Sequence, residues 1–234
     1  GLNVRLACQC RPQGDIQIVP LLQPAKAIQQ FNTQPDYLQG QEMDVAILFV
    51  DIRAFTKISE SKLPYDLVFL LNRYFEAMGR SIEDAGGQID KFIGDAVMAI
   101  FGVNSSPRQG CHGAIIAAKQ MGIRLSALNS ALANDLDEPL RIGIGIHHGP
   151  AVIGEMGYGT VSSLTAIGDT VNTASRLEAL TKEYKAQLVI SETVLYTANL
   201  DFDLGERHEV LIRGRTEPLA IRVIDQVLEL PRDL

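Results

Sequence analysis

Residues Val45-Ala46-Ile47-Leu48-Phe49-Val50 form an apolar run without polar alternation, and the run stops on a carboxylate, Asp51. Such a run reads as a buried strand. It is far short of the ~18–20 residues that a membrane-spanning helix needs, so its apolar character is spent on a protein core. Asp51 is the anomaly. A carboxylate beside apolar neighbours is costly unless it meets a cation or a hydrogen-bond donor. A chain of 234 residues is long enough for one generous domain with a short appendage and a core that needs no staples.

The pattern after Asp51 alternates element types. Leu67, Leu70, Leu71, Tyr74, Phe75 and Met78 recur at helical spacing after Pro64, and Gly86-Gly87 stops that helix. Gln88–Ile93 and Ala96–Phe101 are short strand-like runs joined at Gly94-Asp95, a hairpin signal that sets a second carboxylate at a turn. Ala118, Met121, Leu125 and Leu128 mark a further helix. Leu140–His147 reads as a strand whose glycines imply close backbone approach. Val152–Gly154 and Val161–Ala166 read as strands around a Gly-rich connection, Asp169–Leu180 as a helix and Gln187–Ile190 as a strand. Phe202–Ile212 and Ala220–Ile224 read as a last hairpin-like pair. Mixed strands and helices with two hairpins favour an α+β fold, its sheet mixed or antiparallel with helices on one face, over a doubly wound parallel sheet.

Residues 1–40 differ. Pro12, Pro20, Pro24 and Pro35 punctuate a Gln-rich stretch that reads as a tail and linker, with a short strand at Asp15–Val19 and a brief helix at Pro24–Phe31. The expected divisions are 1–22, a linker helix at 23–42, the main domain at 43–227 and a tail at 228–234. Starting at Gly1 with neither Met nor a signal-like apolar segment, the chain reads as a piece of something longer.

Composition removes several classes of function. A net charge of −7 with no Lys/Arg run argues against sequence-independent nucleic-acid binding, which relies on clustered cations. Cys8, Cys10 and Cys111 show no second closely spaced pair that would complete a zinc site, and Cys111 reads as a core or surface thiol. Adjacent His147 and His148 point to opposite faces of a strand, one packed and one solvated. The segment Gly154–Gly159 lacks the following Lys-Ser/Thr of a phosphate-cradling loop and reads as a flexible connection.

The chemistry-bearing residues are few. Asp51 and Asp95 could together hold divalent metals, since Mg²⁺ prefers carboxylate oxygens and substrate phosphates, or each could simply cap a turn. Asn172 and Arg176 share one face of a helix at i, i+4. There a guanidinium can stabilise charge on a phosphoryl oxygen and an amide can orient a sugar, or the two can form a plain helix surface.

Three segments taken together, Phe49–Thr56 (FVDIRAFT), Asp90–Ala99 (DKFIGDAVMA) and Gly168–Glu178 (GDTVNTASRLE), resemble in this order the catalytic domain of class III adenylyl and guanylyl cyclases. The resemblance runs from about Met43 to about Val227. It implies a palm-like, ferredoxin-like βααββαβ core with a mixed, mostly antiparallel sheet and an extra C-terminal hairpin. A head-to-tail homodimer with sites between subunits is implied too. In each site one subunit gives the metals and the other gives the base and transition-state contacts. The implied activity is conversion of ATP to 3′,5′-cyclic AMP and pyrophosphate, with two Mg²⁺ or Mn²⁺ per site.

By the same resemblance, Asp51 and Asp95 hold the metals with the Ile52 carbonyl, and the Phe55 and Thr56 amides lie near the triphosphate. Lys91 matches the purine-reading lysine: adenine N1 is a bare acceptor for an ammonium, whereas guanine N1 carries a hydrogen. Thr165 stands where many adenylyl cyclases have Asp as acceptor for the adenine amino group. Because a hydroxyl both donates and accepts, softer discrimination is expected there. The Thr variant resembles the subgroup known for bicarbonate stimulation, which makes bicarbonate a candidate partner. Asn172 matches the ribose-orienting asparagine and Arg176 the transition-state arginine. Arg213 and Arg215 are the two candidates for a further triphosphate contact, and Glu155–Ser163 carries no basic residue where some family members have one. Guanylyl cyclase activity and a catalytically silent nucleotide- or bicarbonate-binding domain are the competing readings.

Arg5-Leu6-Ala7-Cys8-Gln9 resembles the last-cysteine segment of plant-type [2Fe–2S] ferredoxins, with Cys8 as fourth ligand. The C-x₄-C-x₂-C group that such a cluster needs is absent from this chain, so a cluster would exist only in a longer parent. Such a parent would keep this domain in the cytoplasm, with any membrane contact made through upstream segments.

Overall fold

A computed structural model of the chain describes residues 40–158, 161–200, 205–214 and 216–231. The ferredoxin-like segment 1–22, the linker helix up to residue 39, Arg215 and residues 232–234 lie outside the described residues.

Strand β1 (Gln41–Ile52) is the apolar run extended at its N-terminal end. It lies between β3 (Ala96–Phe101) and β4 (Ile142–Tyr158), antiparallel to both. Residues Ala46, Leu48, Val50 and Ile52 enter one buried cluster and Val45, Ile47 and Phe49 another on the opposite face. Burial on both sides is why the run does not alternate.

After β1 come a short helix α1 (Phe55–Ser61) and a long helix α2 (Pro64–Asp84), then β2 (Gln88–Ile93), β3 and helix α3 (Pro107–Ala131). Ser106 caps α3 in a reciprocal box with Gln109. Strands β4 and β5 (Val161–Ile167) lead to helix α4 (Asp169–Glu183). Then follow β6 (Leu188–Ser191), helix α5 (Glu192–Ala198), β7 (Glu206–Val210) and β8 (Leu219–Ile224). The sheet runs β2-β3-β1-β4-β6-β8-β7, with β5 branching from β4. Only the β4–β6 pairing is parallel among those described. The βααββαβ core and the mixed, mostly antiparallel sheet are as expected, and β7–β8 is the extra hairpin.

The helices do not share one face. Leu70, Tyr74, Met78 and Ile82 of α2, Cys111, Ile115, Met121, Leu125 and Leu128 of α3, and Val194 and Leu195 of α5 pack on the β1 face that carries Leu48 and Val50. Helix α4 packs on the opposite face, where Ala174 meets the cluster of Val45, Ile47 and Phe49. The expectation of one helical layer is corrected. An apolar β1 that offers both faces requires cover on both.

Strand β4 is one continuous strand where the sequence reading gave two strands and a flexible connection. Residues Gly154–Tyr158 pair in register with β5, from Gly154 opposite Thr165 to Tyr158 opposite Val161. Pro150 does not interrupt the strand. It sits opposite Asp44, after the β6 pairing ends at Ile146 and before the β5 pairing starts at Val152, so the N–H it lacks breaks no ladder. Helix α5 had no counterpart in the sequence reading, and the segment expected as a tail from residue 228 contributes Leu230 to the main core.

Glycines of β4 let α4 lie directly on the sheet. A Cβ at Gly145 would overlap the Glu178 backbone nitrogen and lie 2.5 Å from the Ala174 carbonyl oxygen; one at Gly143 would overlap the Arg53 guanidinium. Backbone cannot yield as a flexible side chain does. Gly145→Ala is therefore expected to destabilise the domain by about 3 kcal/mol, read from urea unfolding midpoints. A variant as stable as wild type would contradict this packing.

Candidate active site

Asp51 follows the fully buried run of β1, one residue before the strand ends, and Asp95 sits in the β2–β3 turn, and the fold brings these carboxylates into a shared hydrogen bond. Partial burial, that hydrogen bond and the charge of Asp51 push the Asp95 carboxyl up to about 6, while the Asp95 and Ile52 amides pull it down. Lys182, from the last turn of α4, approaches Asp51 at 3.4 Å. Tyr74 of α2 is fully buried with its hydroxyl unpartnered. Its pKa rises well above the usual range through burial and the negative charges of Asp51, Asp95 and Glu178. Burial likewise raises the Glu178 carboxyl, which Arg53 offsets across a 3.0 Å ion pair.

The donor chemistry suits a hard divalent cation. Two carboxylates forced together favour a bound cation or a shared proton, and the neighbouring Ile52 carbonyl is a third oxygen of the kind such ions take. No group of three or more His, Cys, Asp or Glu that could hold a metal occurs among the described residues. A site here would be completed by backbone and substrate oxygens.

Helix α1 starts after Ala54, whose φ of 55° is left-handed. The Lys57 and Ile58 amides bond the Ala54 carbonyl, so the Phe55 and Thr56 amides are first-turn donors with no intrahelical acceptor.

A second network lies at β2 and β5. Lys91 Nζ donates to Thr165 Oγ1 at 2.9 Å, and Thr165 Oγ1 donates to Asp90 Oδ2 at 2.7 Å. Lys91 is half-exposed, whereas the Asp90 side chain is wholly buried. Asn172 is exposed and Arg176 half-buried on one face of α4. The Arg176 guanidinium lies near Gly214, in the loop that carries exposed Arg213. The structure thus brings together Asp51 with Asp95 and Lys91 with Thr165, and sets Arg176 beside the β7–β8 loop.

Sequence reading missed Asp90, Lys182 and the Arg53–Glu178 pair. Only the last had a signal, since a buried strand–helix contact through glycine at Gly143 and Gly145 brings those two chains together. A cleft of about 660 Å³ opens nearby, walled by Arg53, Arg141, Lys182 and Lys185 but not by Asp51, Asp95, Lys91 or Thr165. His147 is buried and bonds Ser191 Oγ at 2.8 Å, and His148 is half-buried with its pKa lowered by burial. Cys111 is a core thiol that burial pushes up to about 12.

Paired carboxylates at the end of a central strand, on a mixed sheet with helices on both faces, suit a metal-assisted catalytic domain, and comparison with known proteins identifies the family. Residues 38–224 match the model of the adenylate and guanylate cyclase catalytic domain, and the chain belongs to that family. It is 36% identical over 181 residues to an adenylate cyclase of Anabaena cylindrica, a match covering 76% of this chain and 36% of that protein. Adenylate cyclase 1 of Rhizobium meliloti is 37% identical over 153 residues, covering 65% of this chain and 23% of the relative. The chain thus spans about a third or less of these two relatives. Among solved structures, the guanylyl cyclase Cya2 aligns with a TM-score of 0.74 at 30% identity over 82% of this chain and 97% of that one. The adenylyl cyclase CyaB from P. aeruginosa aligns at 0.68, also at 30% identity, over 83% of this chain and 98% of its own.

The Asp95 carboxyl has a folded-state pKa above its unfolded value, so its contribution to stability is full below about pH 4 and is lost as pH rises through about 6. In metal-free buffer at pH 7.5, Asp95→Asn is expected to melt about 2 °C above wild type, the gain vanishing near pH 4. Added Mn²⁺ should raise the melting temperature of wild type and largely fail to raise that of the variant. An equal Mn²⁺ shift in both proteins would contradict Asp95 as a ligand.

Proposed function

We propose that this domain is an adenylyl cyclase that converts ATP to 3′,5′-cyclic AMP and pyrophosphate at sites shared across a homodimer. The observation that carries the reading is the closure of Asp51 onto Asp95 at the positions where this family holds its metals. With both carboxylates, Lys91, Asn172 and Arg176 present, a silent regulatory domain is the weaker reading.

In this reading Asp51 and Asp95, with the Ile52 carbonyl, hold two Mg²⁺ or Mn²⁺ ions. Bound there, the ions would acidify the ribose 3′-hydroxyl and neutralise the triphosphate. Lys91 donates to adenine N1 and Thr165 accepts from the 6-amino group. Asn172 orients the ribose so that its 3′-oxygen faces the α-phosphorus in line with the leaving pyrophosphate. The 3′-oxygen–phosphorus bond forms as the bond to the bridging oxygen breaks, and Arg176 stabilises the charge on the α-phosphoryl oxygens. The Phe55 and Thr56 amides and Arg213 or Arg215 hold the β- and γ-phosphates.

The shared-site dimer is supported by apolar side chains left uncovered on one chain. Phe92, Ile93 and Ile167 are each about half exposed, and Val152, the cross-strand neighbour of Ile167, is 39% exposed. Leu63, Tyr65, Val68 and Phe69 at the start of α2 are more exposed still. The guanylyl cyclase among the aligned structures keeps GTP as the competing substrate, and Lys91 favours ATP.

Thr165 supports placing the domain in the bicarbonate-responsive Thr-variant subgroup. The Arg5–Gln9 resemblance supports a [2Fe–2S] ferredoxin-like domain and a linker at 1–42 in a longer parent, with a cyclase domain at 43–227. No helix among the described residues is long and apolar enough to cross a membrane, so in this reading any membrane contact is made by upstream segments.

Cyclic nucleotide production from ATP and GTP, with Mg²⁺ or Mn²⁺ and over a range of protein concentrations, tests the proposal. Cyclic AMP is expected in excess, with specific activity rising with concentration; no product with either metal would sink it. Asp51→Ala and Asp95→Ala should each abolish turnover. Arg176→Ala should lower kcat with little change in KM, because a contact made mainly in the transition state costs rate rather than ground-state binding. A loss confined to KM would contradict that role.

A further inference from the structure

We infer that Asp90 is a positioning residue for purine selection: it takes the proton of Thr165 and so fixes that hydroxyl as an acceptor, favouring a base with a 6-amino group over one with a 6-oxo group. The inference rests on the adenylyl cyclase reading above and names a residue that reading does not use.

A threonine hydroxyl has one proton to give and two lone pairs. Free to rotate, it would meet an amino group with a lone pair or a carbonyl with its proton, and would discriminate weakly. Thr165 is not free. It is 4% exposed, its proton points to Asp90 Oδ2 at 2.7 Å, and one lone pair takes a hydrogen from Lys91 Nζ at 2.9 Å. A hydrogen bond to a carboxylate is stronger than one between neutral groups, so a 6-oxo group competes poorly for that proton. What remains for a ligand is a lone pair. Adenine presents an amino donor to it and a bare N1 to Lys91. Guanine presents an oxygen to the lone pair and an N1 hydrogen to the ammonium, mismatched at both points.

The backbone explains how Asp90 comes to be there. Neighbouring residues of a regular strand point to opposite faces, so Asp90 and Lys91 should not both reach one side chain. The β2–β3 register shifts between Ile89, opposite Ala99, and Lys91, opposite Met98, which leaves Asp90 as the extra residue of a bulge. A bulge re-aims side chains, and here both residues turn toward Thr165 on β5. The Asp90 side chain is wholly buried, its Oδ1 has no hydrogen-bond partner, and Lys91 Nζ lies 3.7 Å from that atom. A carboxylate kept buried and half-satisfied is a poor way merely to pin two strands together.

The test is kcat/KM for ATP, GTP and inosine triphosphate with Mn²⁺ in the full chain. Inosine triphosphate carries the 6-oxo group and N1 hydrogen without the 2-amino group. Wild type should prefer ATP. Asp90→Ala is expected to lower the ATP-to-inosine-triphosphate and ATP-to-GTP ratios about tenfold, which is about 1.4 kcal/mol of discrimination. Asp90→Leu, isosteric and lacking an acceptor, should do the same and serves if the alanine variant does not fold. Asp90→Asn, which keeps an acceptor oxygen, should hold most of the preference. In a Thr165→Val background Asp90→Leu should leave both ratios unchanged, since no hydroxyl remains to orient. Equal losses on all three nucleotides in the single variants, or the same ratio change with and without the Thr165 hydroxyl, would reduce Asp90 to a strand pin and overturn the inference alone. A wild-type chain that prefers GTP overturns the adenylyl cyclase reading itself, and this inference with it.

Discussion

Helix α4 lies on strand β4 at backbone-to-backbone distance, and most of the site's geometry follows from that contact. Side chains at Gly143 or Gly145 would occupy the space now filled by the Arg53 guanidinium and the Glu178 and Ala174 backbones. Held this close, α4 delivers Glu178 to Arg53, Lys182 to Asp51 and Arg176 to the loop at Gly214. A helix lifted off by one methyl layer would separate each of these groups, so the glycines act on the site although none of them carries a functional group.

The site concentrates charge where apolar packing would be more stable. Asp51 and Asp95 share a hydrogen bond at a cost visible in the raised Asp95 pKa, Tyr74 keeps an unpartnered buried hydroxyl in the field of three carboxylates, and Asp90 is buried with one oxygen lacking a hydrogen bond. Separately each would be a defect. Asp51, Asp90 and Asp95 lie at the end of β1 and along one hairpin, and Tyr74 backs them from α2, a concentration of closely set ionisable groups of the kind that marks functional sites. The main core on the other face of β1 is conventional by comparison, with Leu48, Val50, Met78 and Ile115 all fully buried.

Much of this was legible in the residues. The unbroken apolar run gave β1, the Gly94-Asp95 turn gave the β2–β3 hairpin, and the order of three motifs gave the fold and the pairing of Asp51 with Asp95. The rest was hidden for definite reasons. The continuity of β4 was hidden because the glycines after Ile153 read as a loop, and only their pairing with β5 shows that Gly154 and Gly157 lie in a ladder. Helix α4 on the far face depends on which side of the sheet a chain crosses, a long-range fact. Asp90 was invisible because period-two reasoning turns it away from Lys91, and only the bulge reverses that. Helix α5 is only seven residues long, too short for a helical period to stand out.

The β2–β3 hairpin carries Lys91 on its rising strand and Asp95 at its tip. In the shared-site dimer proposed above, these residues belong to different sites: Lys91 reads the base in one, and Asp95 holds the metals of the other. The hairpin is then a lever with a hand in each. In that arrangement a nucleotide that pulled on Lys91 would displace the carboxylate serving the other site, and the coupling would appear as a Hill coefficient other than one for the dimer as a whole.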